Sequence, residues 1–181
     1  MIYLIRHGQT DWNVQGKAQG FTDIPLNGKG RQQAVEAARK VAKLQIDHIF
    51  SSDLSRAKET AEIINSELRL DLPITTDKRI RAYNLGELEG GGFMSNGITA
   101  TEFLTLTKQH GVETTDEMFS RVKSFLDDLV AKKIENVLIV SHIGTIRMML
   151  YCAKHQTLDE DLYMKEYFTK LIENAKPMQW K

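Results

Sequence analysis

Three short apolar runs, each breaking abruptly into polar residues, constrain this chain more than any other feature. Ile2-Tyr3-Leu4-Ile5 opens into Arg6-His7-Gly8-Gln9-Thr10. Ile49-Phe50 opens into Ser51-Ser52-Asp53-Leu54-Ser55-Arg56, and Val137-Leu138-Ile139-Val140 into Ser141-His142-Ile143-Gly144. Runs this short read as buried strands, and the longer amphipathic stretches between them read as crossover helices of an α/β sheet. Open sheets of that kind bind ligands in the crevice at the carboxyl ends of their strands. Three such ends would offer two histidines and two arginines, a set suited to an enzyme acting on a phosphate.

Between the runs the periodicity gives further elements. Residues 8–26 read as a polar loop holding Gly8, Gly16, Gly20 and Pro25. Asn27 can cap a helix over about residues 28–44, with Ala34, Ala38, Val41 and Ala42 on one face. A strand at Asp47–Phe50 is followed by a helix from about Leu54 to Leu68 that presents Ala57, Ala61 and Ile64. Pro73 sets off a weaker strand near Ile74–Thr76. Gly86, Gly90, Gly91, Gly92 and Gly97 make residues 86–97 the loosest part, read as mobile, and a short helix is expected over about Thr101–Thr107. Thr114 and Glu117 have capping-box spacing and open a helix carrying Met118, Val122, Phe125 and Leu129. The strand Val137–Val140 feeds a helix from about Gly144 to Ala153. The tail has some helical character over Leu158–Ile172, and Pro177 stops any helix before the end. No repeat or second boundary interrupts this, so residues 1–181 are expected to form a single domain with a flexible insertion around 86–112.

Composition narrows the function. At 181 residues such a domain buries about two thirds of its unfolded surface. Lys and Arg total 24 and Asp and Glu 24, so no bulk field draws nucleic acid or an anionic membrane. Attraction for phosphate must come from a local cluster. The single cysteine, Cys152, excludes an internal disulfide, fits a reducing cytosol, and sits beside Leu150 as a core residue. No apolar run approaches the ~20 residues of a membrane span, and the first residues become charged too soon for a signal peptide. The expectation is a cytoplasmic protein whose partner is a small phosphorylated molecule.

Phosphoryl transfer leaves the protein mainly positioning and charge neutralisation. Arginine forks donate paired hydrogen bonds and stay charged, which makes Arg6 and Arg56 the candidates. A neutral imidazole can attack phosphorus and form a phosphohistidine, while a second donates to a phosphoryl oxygen. His7, between Arg6 and a glycine-bearing loop, is favoured as nucleophile. His142, before Gly144-Thr145 at a helix start, stays open for that role. The plainer readings are that Arg56 merely pairs with Glu59 or Asp53, that Asn13 and Gln19 only satisfy local backbone, and that Glu87 and Glu89 are structural or solvated. Phe93 and Met94 could cover core or touch substrate. His48, His110 and His155 have no placement near the cluster.

The ordered set Arg6-His7-Gly8-Gln9-Thr10, Trp12-Asn13, Gln19-Gly20, Asp23-Ile24-Pro25-Leu26, Gly30, Gln33-Ala34, Ser51–Ala57, Thr60-Ala61, Gly86, Glu89-Gly90 and Val140-Ser141-His142 resembles the histidine phosphatase superfamily. More narrowly, it is similar to the phosphoglycerate-mutase-like branch. The resemblance implies a three-layer α/β/α sandwich with a mixed, mostly parallel sheet. It also implies His7 as the residue phosphorylated, Arg6, Arg56 and His142 as the rest of the phosphate pocket, and Asn13 and Gln19 as phosphate-binding positions on the loop. Neither metal nor cofactor is implied.

One position departs from that pattern. The family has a glutamate that protonates the leaving group where this chain has Ala82, within Ile80-Arg81-Ala82-Tyr83-Asn84-Leu85-Gly86. General acid help is worth roughly 10²–10⁴-fold, about 3–5 kcal/mol of barrier. Three readings follow. In the first the substrates have leaving groups that need little protonation, such as aryl phosphates, acyl phosphates or phosphoramidates; in the second Glu87 or Glu89 replaces the acid; in the third the site binds phosphorylated ligands with little turnover. A mutase would need cations over a second phosphate, and residues 88–117 supply only Lys108 and His110. The expected function is therefore a metal-independent phosphomonoesterase, with a phospholigand-binding relative and then a phosphoglycerate mutase as the alternatives.

Overall fold

Strand β1 (Ile2–Arg6) is followed by a single helical turn, α1 (Asp11–Val14), and by helix α2 (Gly28–Val41). Strand β2 (His48–Ser51) leads to α3 (Ser55–Leu68), and β3 (Ile74–Thr76) to 3-10 turns at Lys78–Ile80 and Gly86–Leu88. Then come α4 (Thr115–Ala131), β4 (Val137–Ser141), α5 (Ile143–Cys152), α6 (Glu160–Glu166) and β5 (Met178–Gln179). The structure, a computed structural model, describes residues 1–92, 102, 103, 105, 111–168 and 170–180.

The strands form one sheet in the order β3-β2-β4-β1-β5, parallel except where β5 runs antiparallel to β1. Register pairs Arg6 with Ser141 and Ser51 with Val140, so the exits of the three inner strands end nearly level. Side chains alternate across this sheet. Tyr3, Ile5, Ile49, Leu138 and Val140 face Ala37, Ala38 and Val41 of α2 and Ala57, Ala61 and Ile64 of α3. Leu4, Val137 and Ile139 face the opposite way, toward Met118, Val122 and Phe125 of α4 and Ile146 and Met149 of α5. The result is the three-layer α/β/α arrangement with a mixed, mostly parallel sheet. Every residue of β4 is buried, as a strand covered on both faces requires.

Helix starts follow the side chains that cap them. Asn27 accepts the Gly30 N–H at 2.8 Å, and Thr114 and Glu117 form a reciprocal box at the start of α4. The first turn of α2 lies so close to the loop after β1 that a methyl group on Gly30 would enter the Gln9 carbonyl, and one on Gly8 would enter the Gly30 carbonyl. Only glycine permits this approach, which sets the loop carrying His7 directly on the helix.

Some local expectations change. Ala42 is exposed, because α2 ends at Val41 and Ala37 fills the buried face instead. The polar stretch 8–26 contains α1, and the tail contains β5 beyond Pro177. The glycine-rich segment begins with an ordered 3-10 turn at Gly86–Leu88. Most of the expected insertion, including Phe93, Met94, Lys108 and His110, lies outside the described residues, as does most of the helix expected over Thr101–Thr107. Among the described residues no helix is long and apolar enough to cross a membrane.

Candidate active site

At the carboxyl end of the sheet a cavity of about 260 Å³ is lined by Arg6, His7, Asn13, Gln19, Arg56 and His142. The structure therefore brings together all six residues singled out from the sequence. Arg6 and His7 leave β1, Arg56 opens α3 just after β2, and His142 stands between β4 and α5. The imidazole rings of His7 and His142 lie 5.1 Å apart between centroids. Residue exposures are 3% for His7, 2% for His142 and 1% for Arg56.

Hydrogen bonds fix the state of His7. Its Nδ1 lies 2.7 Å from the Gly8 carbonyl. A carbonyl can only accept, so the proton sits on Nδ1 and, in the neutral ring, Nε2 keeps its lone pair. Burial, then the charges of Arg56 and Arg6, hold the His7 pKa well below the ordinary histidine value. Burial, Arg56 and His7 do the same to His142. Both rings are thus neutral at physiological pH, and one presents a free nucleophilic nitrogen.

Both guanidiniums are positioned by main-chain carbonyls, with no carboxylate partner among the described residues. Arg6 Nη1 donates to the Ile172 carbonyl at 2.8 Å. Arg56 donates to Thr22 O at 2.8 Å and to Gly20 O at 2.7 Å. Their Nε atoms and both ring nitrogens of His142 are buried without a hydrogen-bond partner. Buried donors left over in this way suit an anion that would take them up. Burial, followed by Arg147 and Arg56, pushes Arg6 down to about 10. Burial pushes Arg56 to about 10, against the charges of Asp23 and Glu89. The plainer reading of Arg56 does not hold, since Glu59 pairs with Arg31 and Asp53 with Arg81.

Asn13 has a divided role. Its amide oxygen accepts from the N–H and hydroxyl of Thr10 at the start of α1, leaving the NH2 for the cavity. Gln19 has its amide oxygen buried without a partner, and a half-turn of that amide would present its NH2 instead. Glu89 is not a spare acid. Its carboxylate accepts from the N–H groups of Phe21, Thr22 and Leu85 and from the Thr22 hydroxyl. Together with Arg56 it clamps the loop at residues 20–22. Glu87 is exposed on the 3-10 turn and absent from the cavity wall. Ala82, by contrast, lines the cavity, and burial raises the Cys152 thiol to about 12, leaving it protonated.

Sequence reasoning missed Arg147, which also lines the cavity. Its Nε donates to the Lys170 carbonyl at 2.7 Å and its guanidinium lies 5.8 Å from the Phe168 ring centre. The available signal was its place on α5, between one and two turns beyond His142. Trp12, Lys17, Tyr83, Leu85, Phe103 and Phe168 complete a largely apolar outer wall.

The buried imidazoles also shape stability. Their folded pKa values lie below the unfolded ones, so between those values the unfolded chain binds more protons and stability falls as pH drops. The loss begins near pH 6.5 and reaches at most about 1.4 kcal/mol per pH unit for each ring. The lowered carboxylates, Asp53 held down by Arg81 and Asp77 by Arg79, lose their contribution only below the ordinary aspartate range. Urea unfolding at pH 7.5 and 5.5 should show the decline, and it should shrink in His142→Gln; an unchanged slope in that variant counts against a neutral buried His142.

The profile of the histidine phosphatase superfamily (branch 1) matches residues 2–167. Phosphoglycerate mutase-like protein 4 of Arabidopsis thaliana is 35% identical over 158 residues, covering 82% of this chain and 68% of that protein. A mycobacterial glucosyl-3-phosphoglycerate phosphatase solved with VO3 superposes with a TM-score of 0.79 at 26% identity, covering 97% of this chain and 88% of the other. Phosphoserine phosphatase of Entamoeba histolytica, in complex with 3-phosphoglyceric acid, gives a TM-score of 0.73 at 29% identity, covering 97% and 87%. A family match across most of the chain, together with the shared fold, means that the chain belongs to the histidine phosphatase superfamily, branch 1, and is an enzyme of the phosphatase type.

Proposed function

We propose that the protein is a metal-independent phosphomonoesterase that works through a phosphohistidine at His7. Its substrate would be a small phosphorylated metabolite or a compound with a labile phosphoryl group. The observation that carries this reading is the lone pair of His7 Nε2, aimed by the Nδ1 bond to Gly8 and surrounded by Arg6, Arg56 and His142. Nε2 attacks phosphorus, the bond to the leaving oxygen breaks, and the phosphoryl group passes to the ring. Arg6 and Arg56 offset charge on the equatorial oxygens, and His142 donates one hydrogen bond to them. Water then attacks the phosphohistidine, releasing inorganic phosphate and restoring the neutral ring. The apolar outer wall suits a compact, partly apolar remainder on the substrate, with Arg147 able to face a negative group.

Rapid acid-free quenching of the enzyme with a ³²P-labelled aryl phosphate should trap a base-stable, acid-labile phosphoenzyme, formed equally well with excess chelator. Turnover without such a species would point to direct attack by water. Turnover abolished by the chelator would remove metal independence.

Ala82 supports a second reading, a module that binds phosphorylated ligands with little turnover. That reading expects inorganic phosphate to bind while aryl phosphates, which need no protonation, are released no faster than in buffer.

A further inference from the structure

The segment from residue 170 onward, after α6, runs back along β1 and reaches the nucleophile from behind. Strand β5 pairs with Tyr3 and Leu4, and Trp180 N–H donates to Ile2 O at 2.8 Å. Nearer the site, Ala175 N–H donates to Arg6 O at 2.8 Å. One step away, the side-chain Nδ2 of Asn174 donates to the His7 carbonyl at 2.8 Å. Ile172 and Ala175, on either side of Asn174, are buried and anchor the segment.

The His7 carbonyl belongs to the same peptide group as the Gly8 N–H. That N–H donates to the Thr60 hydroxyl at 3.0 Å, and the hydroxyl in turn donates to Arg56 O at 2.7 Å. Asn174 and Thr60 therefore hold the two ends of one rigid amide plane. The plane sets the direction in which Gly8 continues, and Gly8 O is the atom that receives His7 Nδ1–H. Gly8 itself has no side chain to resist rotation. We propose that Asn174 is a positioning residue for the nucleophile: it pins the His7–Gly8 peptide so that Gly8 O fixes the ring tautomer and aims Nε2 at phosphorus. Asn174 does not line the cavity, so it acts through the main chain and contributes nothing to holding phosphate. The inference deepens the phosphohistidine reading and rests on it for its kinetic part alone.

Asn174→Leu is the near-isosteric test, because it takes the Nδ2 donor away from the His7 carbonyl without adding a charge beside the phosphate pocket. Misplacement of a reacting group by about 1 Å costs about 10²-fold, so kcat on an aryl phosphate is expected to fall roughly 10- to 100-fold. Inhibition by inorganic phosphate should stay within about threefold, since Arg6, Arg56 and His142 remain in place. The ¹⁵N resonances of the His7 ring should lose their pure Nδ1–H signature. Thr60→Val, which removes the acceptor at the opposite end of the same peptide, should repeat the pattern and serves if the Asn174 variant fails to fold. Unchanged kcat and an unchanged His7 tautomer in a folded variant would overturn the proposal. So would kcat and phosphate affinity falling together. If the unaltered protein turns over no phosphate ester, the phosphatase reading fails, and the ring resonances still decide the role of Asn174.

Discussion

His7→Ala is expected to lower kcat by on the order of 10⁶, the scale lost when a covalent nucleophile is removed. The reason is local. The ring with a defined proton position is His7, with Nδ1–H given to Gly8 O, and the other nitrogen faces a cavity shared with Arg6 and Arg56. Alanine leaves those cations in place, so inorganic phosphate should still bind. The measurement is therefore steady-state hydrolysis of an aryl phosphate beside phosphate inhibition in the same preparation. Activity within about tenfold of the parent would move the nucleophile elsewhere, and His142 would be the next candidate.

Ala82→Glu should raise turnover of alkyl phosphates by roughly 10²–10⁴-fold while leaving aryl phosphates nearly unchanged. Alkoxide leaving groups need a proton and phenolates scarcely do, so the gain should follow leaving-group basicity. The backbone at this position is well held. Arg121 donates to the carbonyls of Arg79, Arg81 and Ala82 at 2.6, 3.1 and 2.7 Å, and Thr145 donates to Arg81 O. A longer side chain at residue 82 would thus grow from a fixed Cα into the cavity wall. The informative assay ranks substrates by leaving-group pKa in both proteins. The parent should show a steep penalty for basic leaving groups and the variant a flat one. A flat profile in the parent would mean that another acid already serves; no change with any substrate would remove residue 82 from the chemistry.

Much of this arrangement could be read from local sequence, because local physics specified it. The apolar runs at Ile2–Ile5 and Val137–Val140 became adjacent central strands, and the caps at Asn27 and Thr114 opened the expected helices. What escaped was either too short or too distant. Four residues of α1 cannot show a helical period, although Thr10 and Asn13 form its box. β5 is a pair of residues after a proline, stabilised only by an edge that β1 provides. Ala42 lies where the periodicity of α2 outlasts the helix. Arg147 and Asn174 reach the site through carbonyl and amide contacts set by the tertiary fold, and no spacing rule links Asn174 to His7. That Ala82 departs from the family pattern was legible only by resemblance; its place in the cavity wall needed the fold.

The level register of β1 and β4 has a consequence for when the protein becomes competent. Residues 2–6 meet residues 137–141 through parallel pairing, although a long stretch of chain separates them. Contacts between such remote segments are slow to form, since a long loop must close before they reward it. The crevice at the strand ends thus forms only after the later of the two strands has been translated and docked. Catalysis in this protein can serve as a stringent reporter of completed folding, lost whenever that late union comes apart.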